Sequence, residues 1–303
     1  MSFLKIKKNY FHANKLRASN RDQYKRFTRS KIGNFFYTLF LVVFGLYSIL
    51  PMIYSVVTSF KPLDELLVYP PKFFVQRPTL TNYMILPSLL DNLQVPLTRY
   101  IFNSLFISIV TTILHVLVAS MGAYVLSKSN IRGKKIIFSI IQFSLLYNAY
   151  TLAIPRYLIY SYTGMIDTYW AYILPAIPSS MGVFLMKQYM DAAVPNALIE
   201  AARIDGAGTF RVFWQLVMPI VRPAWLTLTL FAFHDLWQMQ PGGTIFSEEL
   251  KLLPAAASTI AAGGLTRQGS AMAVTVLMML PPILVYMVSQ GSVTKTMSSS
   301  GIK

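Results

Sequence analysis

FFYTLFLVVFGLYSILPMIYSVVTSF, residues 35–60, is an uncharged apolar run interrupted only by Pro51. A bilayer core of about 30 Å takes roughly 20 apolar residues as a helix. The run exceeds that, and it also exceeds the roughly 7–15-residue core of a cleaved signal. It is predicted to cross a membrane. Five further runs follow: 101–126 with a single His115; 136–160 with Pro155 and Arg156 near its far end; 169–189 with Pro175, Pro178 and Lys187; 224–238, short and carrying His234 and Asp235; and 271–289 with the pair Pro281 and Pro282. The expected fold is all-α: a polytopic integral membrane protein with six transmembrane helices.

Composition agrees. Of 303 residues, 54% are hydrophobic and 13% charged, with a mean hydropathy of +0.50. Soluble proteins average about 25% charged residues, so this chain has too little charge to cover a water-soluble body. It has no cysteine, which excludes disulfides, thiolate metal sites and cysteine nucleophiles. Its three histidines, His12, His115 and His234, are far apart, so no metal centre and no catalytic residues are expected.

The charge excess is basic, 27 Lys+Arg against 11 Asp+Glu. Position argues against nucleic acid as the partner. Ten basic residues lie within 1–31, with Asp22 the only acid there. Such a block beside a span fits a cytoplasmic anchor on anionic lipid. Placing the N-terminus inside gives 20 basic residues on the inner segments and seven on the outer ones, Lys61, Lys72, Arg77, Arg99, Arg156, Lys251 and Arg267. Both termini are thus expected in the cytoplasm. The chain divides into a basic segment 1–34, a six-helix transmembrane domain 35–291 and a cytoplasmic tail 292–303. Residues 61–100, with six prolines, read as an irregular outer loop. Residues 239–270 enclose an Ala-rich stretch too short to cross, either re-entrant or exposed.

One loop is distinctive. VPNALIEAARIDGAGTFRVFWQLVMPIVRP, residues 194–223, lies between the fourth and fifth spans. Pro195 suits the first turn of a short helix, and Asn196 to Ile204 is good helix former. Gly206 and Gly208 supply a stop and a sharp turn, and a second helix runs from about Thr209 until Pro219 breaks it. Ala197, Ala201 and Ala202 offer a close-approach surface, with Glu200 beside them for a cation on another body.

The order Glu200-Ala201-Ala202, then Asp205-Gly206-Ala207, with Phe213 and Pro219 beyond, resembles the EAA loop of ABC-importer permeases. The departure, Val217-Met218 before Pro219, is mild. The resemblance extends over about residues 35–303. Asn103-Ser104-Leu105, Ala123-Tyr124-Val125-Leu126-Ser127 with Arg132-Gly133-Lys134-Lys135, Gly164 to Tyr169, and the SSGIK tail look like the carbohydrate branch, nearest the oligosaccharide permeases. It implies a bacterial cytoplasmic-membrane subunit that moves a sugar by alternating access. It further implies a homologous second permease, an extracellular substrate-binding protein, and two cytoplasmic ATPase subunits that carry ATP and Mg. The coupling residues would be Glu200, Ala201, Ala202, Asp205, Gly206 and Ala207. No phosphate-binding loop G-x-x-x-x-G-K-[ST] occurs in this chain, so it binds no cofactor of its own in this reading.

Ionisable residues inside spans are costly and commonly line a cavity, and aromatic rings stack on sugars. His234, Asp235, Trp237 and Gln238 form one candidate sugar path, and Tyr147, Asn148 and Tyr150 another. Packing is the alternative for each. His115 reads as a helix-packing donor, and the Met-rich run at 272–287 as packing. An ATP-independent channel or secondary transporter is the rival reading, and a membrane-embedded enzyme a third.

Overall fold

The structure, a computed structural model, describes residues 31–147, 151–240 and 242–300; the basic segment 1–30, Asn148 and Tyr150 lie outside them. Among the described residues there is no strand. The chain divides into two compact units, 1–54 and 55–303. The first contributes most of helix α1 (Lys31–Ser59), whose 28-residue stretch Ile32–Ser59 has a mean hydropathy of 2.1.

The second unit is built round α2 (Leu97–Lys128). Against it, or against one another, pack α3 (Lys134–Ser144), α4 (Ala153–Tyr162), α5 (Trp170–Ala176), α6 (Ser180–Ala193), α7 (Asn196–Ile204), α8 (Thr209–Ile220), α9 (Arg222–Trp237), α10 (Leu253–Ala261) and α11 (Gln268–Ser300). Three helical stretches are each long and apolar enough to cross a bilayer: Ile32–Ser59, Leu97–Lys128 and Gly264–Gly291. A fourth is reached if α8 and α9, which meet at an 81° bend, are counted together. The chain is a multi-pass, all-helical membrane protein.

The runs expected as the third and fourth spans are each broken in two. Pro155 stands in the first turn of α4, where its missing N–H would have had no helical partner anyway. It therefore starts a helix there instead of continuing α3. Between α5 and α6, Pro178 interrupts the ladder and Ser179 caps the new start, accepting the Gly182 amide at 2.8 Å. Broken ends leave carbonyls that must find donors where water is scarce. His115 of α2 supplies one, with Nδ1 at 2.8 Å from the Ala176 carbonyl.

Small residues set the α2–α6 crossing: a Cβ on Gly182 would stand 3.1 Å from the Ala119 Cβ. The Ala-rich stretch expected as re-entrant or exposed is α10, packed on α2 and α11 with Ala256 and Ile260 fully buried. Two apolar clusters lie at opposite ends of α2. One joins Tyr100 to Phe233, Trp237, Leu253 and Val274; the other joins Val116 and Tyr124 to Met186, Ile199, Phe213 and Val217.

Candidate coupling site

The second cluster carries the distinctive loop. Helix α7 starts after Pro195, whose φ of −66° and ψ of 140° make it the cap residue, one position earlier than the sequence suggested. Ile199 is the one fully buried side chain of α7; Ala202 is half-buried against the same core. At its end the Gly206 amide bonds the Arg203 carbonyl, and the Ala207 amide the Ala202 carbonyl, both at 3.0 Å. This pair of bonds with a left-handed residue between them is a Schellman stop. Gly206 has φ +79°, a conformation that L side chains rarely adopt. Asp205 caps the helix just before it and is exposed.

Helix α8 then leaves at a new angle and is pinned by Phe213, only 3% exposed and 5.4 Å from the Tyr124 ring. Val212–Val217 is a π-helical stretch, a rare winding. The small-residue surface read from the sequence is split. Ala202 and Ala207 turn inward, while Ala197, Glu200 and Ala201 face out. Beside them stand large apolar side chains: Ile204 is 85% exposed, Phe210 71% and Trp214 40%. The corner thus presents one carboxylate among alanines, flanked by uncovered apolar groups, on a rigidly anchored base. It suits reversible docking of a second body.

A polar group at the base went unnoticed in the sequence. Ser127 donates to Asp191 Oδ1 at 2.5 Å, and Lys187 to Asp191 Oδ2 at 2.7 Å.

Over 198 residues the sequence is 31% identical to the sulfoquinovosyl glycerol transport system permease protein SmoH of Agrobacterium fabrum, covering 65% of this chain and 67% of SmoH. It is 25% identical to the inner membrane ABC transporter permease protein YcjP of Escherichia coli, covering 91% of this chain and 98% of YcjP. The chain belongs to the ABC-transporter carbohydrate permease family. To the arabinooligosaccharides transport system permease protein AraQ of Bacillus subtilis the permease is 25% identical, over 88% of its own length and 94% of AraQ. A solved bacterial ABC transporter involved in import of the acidic polysaccharide alginate has the same fold, with a TM-score of 0.72 at 24% identity. That match covers 87% of the permease and 98% of the solved chain. No protein-family model matches the permease sequence.

The second set of sequence candidates is scattered. Trp237 is 2% exposed, stacks on Phe233 and donates its indole N–H to the Met278 carbonyl at 2.8 Å. His234, Asp235 and Gln238 are exposed, with Gln238 Nε2 3.4 Å from His234 Nε2. Gln238 also lines a 310 Å³ groove with Gln240, Pro254, Ala257, Ser258, Ala261 and Met278. Tyr147 is exposed and packs edge-on against Phe143.

The motif at Asn103-Ser104 has a clear structural job. Asn103 Nδ2 donates to the Glu249 and Lys251 carbonyls at 2.7 and 3.1 Å, and its Oδ1 accepts from the Tyr169 hydroxyl at 2.9 Å. Ser104 Oγ accepts the Leu253 amide at 2.7 Å, capping α10 from another helix. Tyr100 donates to Glu248 Oε1 at 2.7 Å. Asp167 secures the same loop further along, accepting the amides of Phe246 and Ser247 and the Ser247 hydroxyl. Those Ser247 and Phe246 donors hold its carboxyl below the ordinary 3.8.

Proposed function

We propose that this permease is one of two homologous subunits of an importer in a bacterial cytoplasmic membrane, with six spans and both termini inside. In this reading the broken helices α3–α4 and α5–α6 each make one span, and the loop of α7 and α8 faces the cytoplasm. Two ATPase subunits, holding ATP and Mg between them, dock on that loop. They drive alternating access for a sugar delivered from outside by a binding protein. The chain performs no covalent chemistry.

The observation that carries this reading is the exposed corner itself. Glu200, Ala197 and Ala201 face out beside Ile204, Phe210 and Trp214, on a corner fixed by the Gly206 stop and the buried Phe213. Glu200 offers a charge-assisted bond to a basic ATPase residue, a contact of about 1.5–3 kcal/mol. Ala201, Asp205 and Gly206 shape the approach, while Ala202 and Ala207 hold the corner to its base. The transported class is an oligosaccharide, in keeping with the family and with the arabino-oligosaccharide name of AraQ. On its path we place Gln238, His234 and Asp235 beside the groove, with Tyr147, Asn148 and Tyr150 as a second contact and Trp237 as the wall behind.

Glu200→Lys tests the docking. The variant chain is expected in the membrane at normal level but with its ATPase lost on copurification. A full complement of ATPase with Glu200→Lys would sink the reading. Uptake of labelled arabino-oligosaccharides, alginate oligomers and sulfoquinovosyl glycerol into vesicles holding the whole complex identifies the class. Uptake without ATP would favour a secondary transporter.

A further inference from the structure

The joint between α6 and α7 is an elbow whose backbone is held by a residue of another helix. Helix α6 ends at Ala193, and the Val194 amide closes its last turn on the Met190 carbonyl at 3.1 Å. Residue 195 is proline and has no N–H to offer. The Leu198 amide turns instead to the Pro195 carbonyl at 3.2 Å and begins α7. The Val194 carbonyl is left between two helices, beside a side chain only 1% exposed. The donor that reaches it is the Lys128 ammonium, at 2.6 Å, from the last residue of α2. The same ammonium lies 3.3 Å from Asn196 Oδ1, on the first residue of α7. Next to it, Ser127 and Lys187 hold Asp191, and Lys187 stands 4.3 Å over the Phe138 ring of α3.

We propose that Lys128 is the positioning residue that makes α2 move with the coupling corner. Apolar contacts between α2 and this corner, such as Tyr124 on Phe213, pin α8 to its base but bond no backbone group of the elbow. A charge-assisted bond from an ammonium to a carbonyl is roughly twice as strong as a neutral one. Placed on the elbow itself, it fixes the point about which α7 swings to the end of the central helix. A push on α7 then reaches α2 without slack. This rests on the reading of α7 as the ATPase-facing helix, and it adds the route by which the push enters the bundle.

The test uses the whole complex in nanodiscs. The chain has no native cysteine, so nitroxide labels go on a pair of cysteines at Asn130 and Arg203, both exposed. With Lys128 present, the 130–203 distance is expected to keep one narrow distribution with and without Mg–AMP-PNP. Lys128→Met keeps the apolar stem and loses the bond; its distribution is expected to split or shift with nucleotide, and Lys128→Arg to restore the single peak. Should Lys128→Met fail to accumulate, Asn196→Ala removes one of the two acceptors, and a nucleotide-dependent broadening is expected there. A nucleotide-dependent distance in the unsubstituted pair, or an unchanged peak in the variants, would overturn the proposal. Failure of the docking reading registers separately, as retained ATPase in Glu200→Lys.

Discussion

Asn103 and Glu249 are 146 positions apart, yet the Asn103 carboxamide donates to the Glu249 carbonyl at 2.7 Å. With Ser104 on the Leu253 amide and Tyr100 on Glu248, one turn of α2 holds the whole 248–253 segment and the start of α10. Ser104→Ala removes a cap, a loss of about 1 kcal/mol. Asn103→Leu removes the donor to the Lys251 carbonyl and the acceptor of the Tyr169 hydroxyl, and leaves the Glu249 carbonyl only the longer Arg99 bond at 3.4 Å, so it is expected to cost more. A cysteine at Thr259 should react faster with maleimide in both variants, most in Asn103→Leu. Equal rates would mean that α10 is held by packing alone.

Asn82 caps the end of α1, donating to the Ser59 and Lys61 carbonyls at 2.9 and 2.7 Å. Gly269, at the start of α11, lies flush on it: an added Cβ would stand 2.5 Å from Asn82 Nδ2. Gly269→Ala should therefore force Asn82 off its carbonyls and lower stability by about 1–3 kcal/mol, the usual range for overpacking. In an Asn82→Ala background the same substitution should cost little, because the clash is gone. Thermal unfolding of the four detergent-solubilised proteins measures this, and additive losses would refute the contact.

Gly206→Val places a β-branched side chain at φ +79°, with open space around it. The expected penalty, about 1–2 kcal/mol, comes from backbone conformation alone. The α7 stop should unwind while the spans stay intact. Normal membrane level with reduced ATPase copurification is the predicted pair of results. Loss of the chain from the membrane would contradict the separation of this corner from the spans.

Asp167 gives a pH dependence of defined sign. Its folded pKa is lowered, so the clamp on residues 246–247 is complete above the ordinary carboxylate value of 3.8. It is lost as pH falls below that value through the lower folded one. Protease sensitivity of the 239–252 loop should stay flat from neutral pH to about that ordinary value and rise beneath it. Asp167→Asn should show the raised sensitivity at neutral pH, with the acid step removed.

Orientation is checked on the same cysteine-free background. A cysteine at Asn130 should be labelled from the cytoplasmic side only, and one at Thr79 from outside only. Outside labelling at Asn130 would overturn the six-span arrangement.

Much of this architecture is local information. The apolar runs that became α1, α2 and α11 were legible because length and hydropathy are properties of one segment. The Gly206 stop was legible for the same reason, since one left-handed residue ends a helix whatever surrounds it. The breaks within the third and fourth runs were marked by Pro155 and Pro178, but hydropathy averaged over them and hid the division. What sequence could not reveal were the distant pairings. Lys128 is only one of the 20 basic residues assigned to the inner segments, and its bond to the Val194 carbonyl has no periodic signature. Trp237 looked like a sugar-stacking ring because nothing in its own segment announces that Met278 takes its N–H. The split of the alanines, with Ala201 out and Ala202 in, depends on the core beneath α7.

The 81° corner between α8 and α9 has a mechanical consequence. Two rods joined nearly at right angles cannot pass thrust end to end. A displacement of α8 along its own axis reaches α9 almost wholly as a sideways shove, tilting that helix about its far end, where Trp237 is anchored to α11. Such a joint works as a crank: a short stroke at one arm becomes a sweep of the other. The end that sweeps is the one at Arg222, while Gln238, next to the anchored Trp237 and on the rim of the groove that α10 and α11 complete, stays near the pivot.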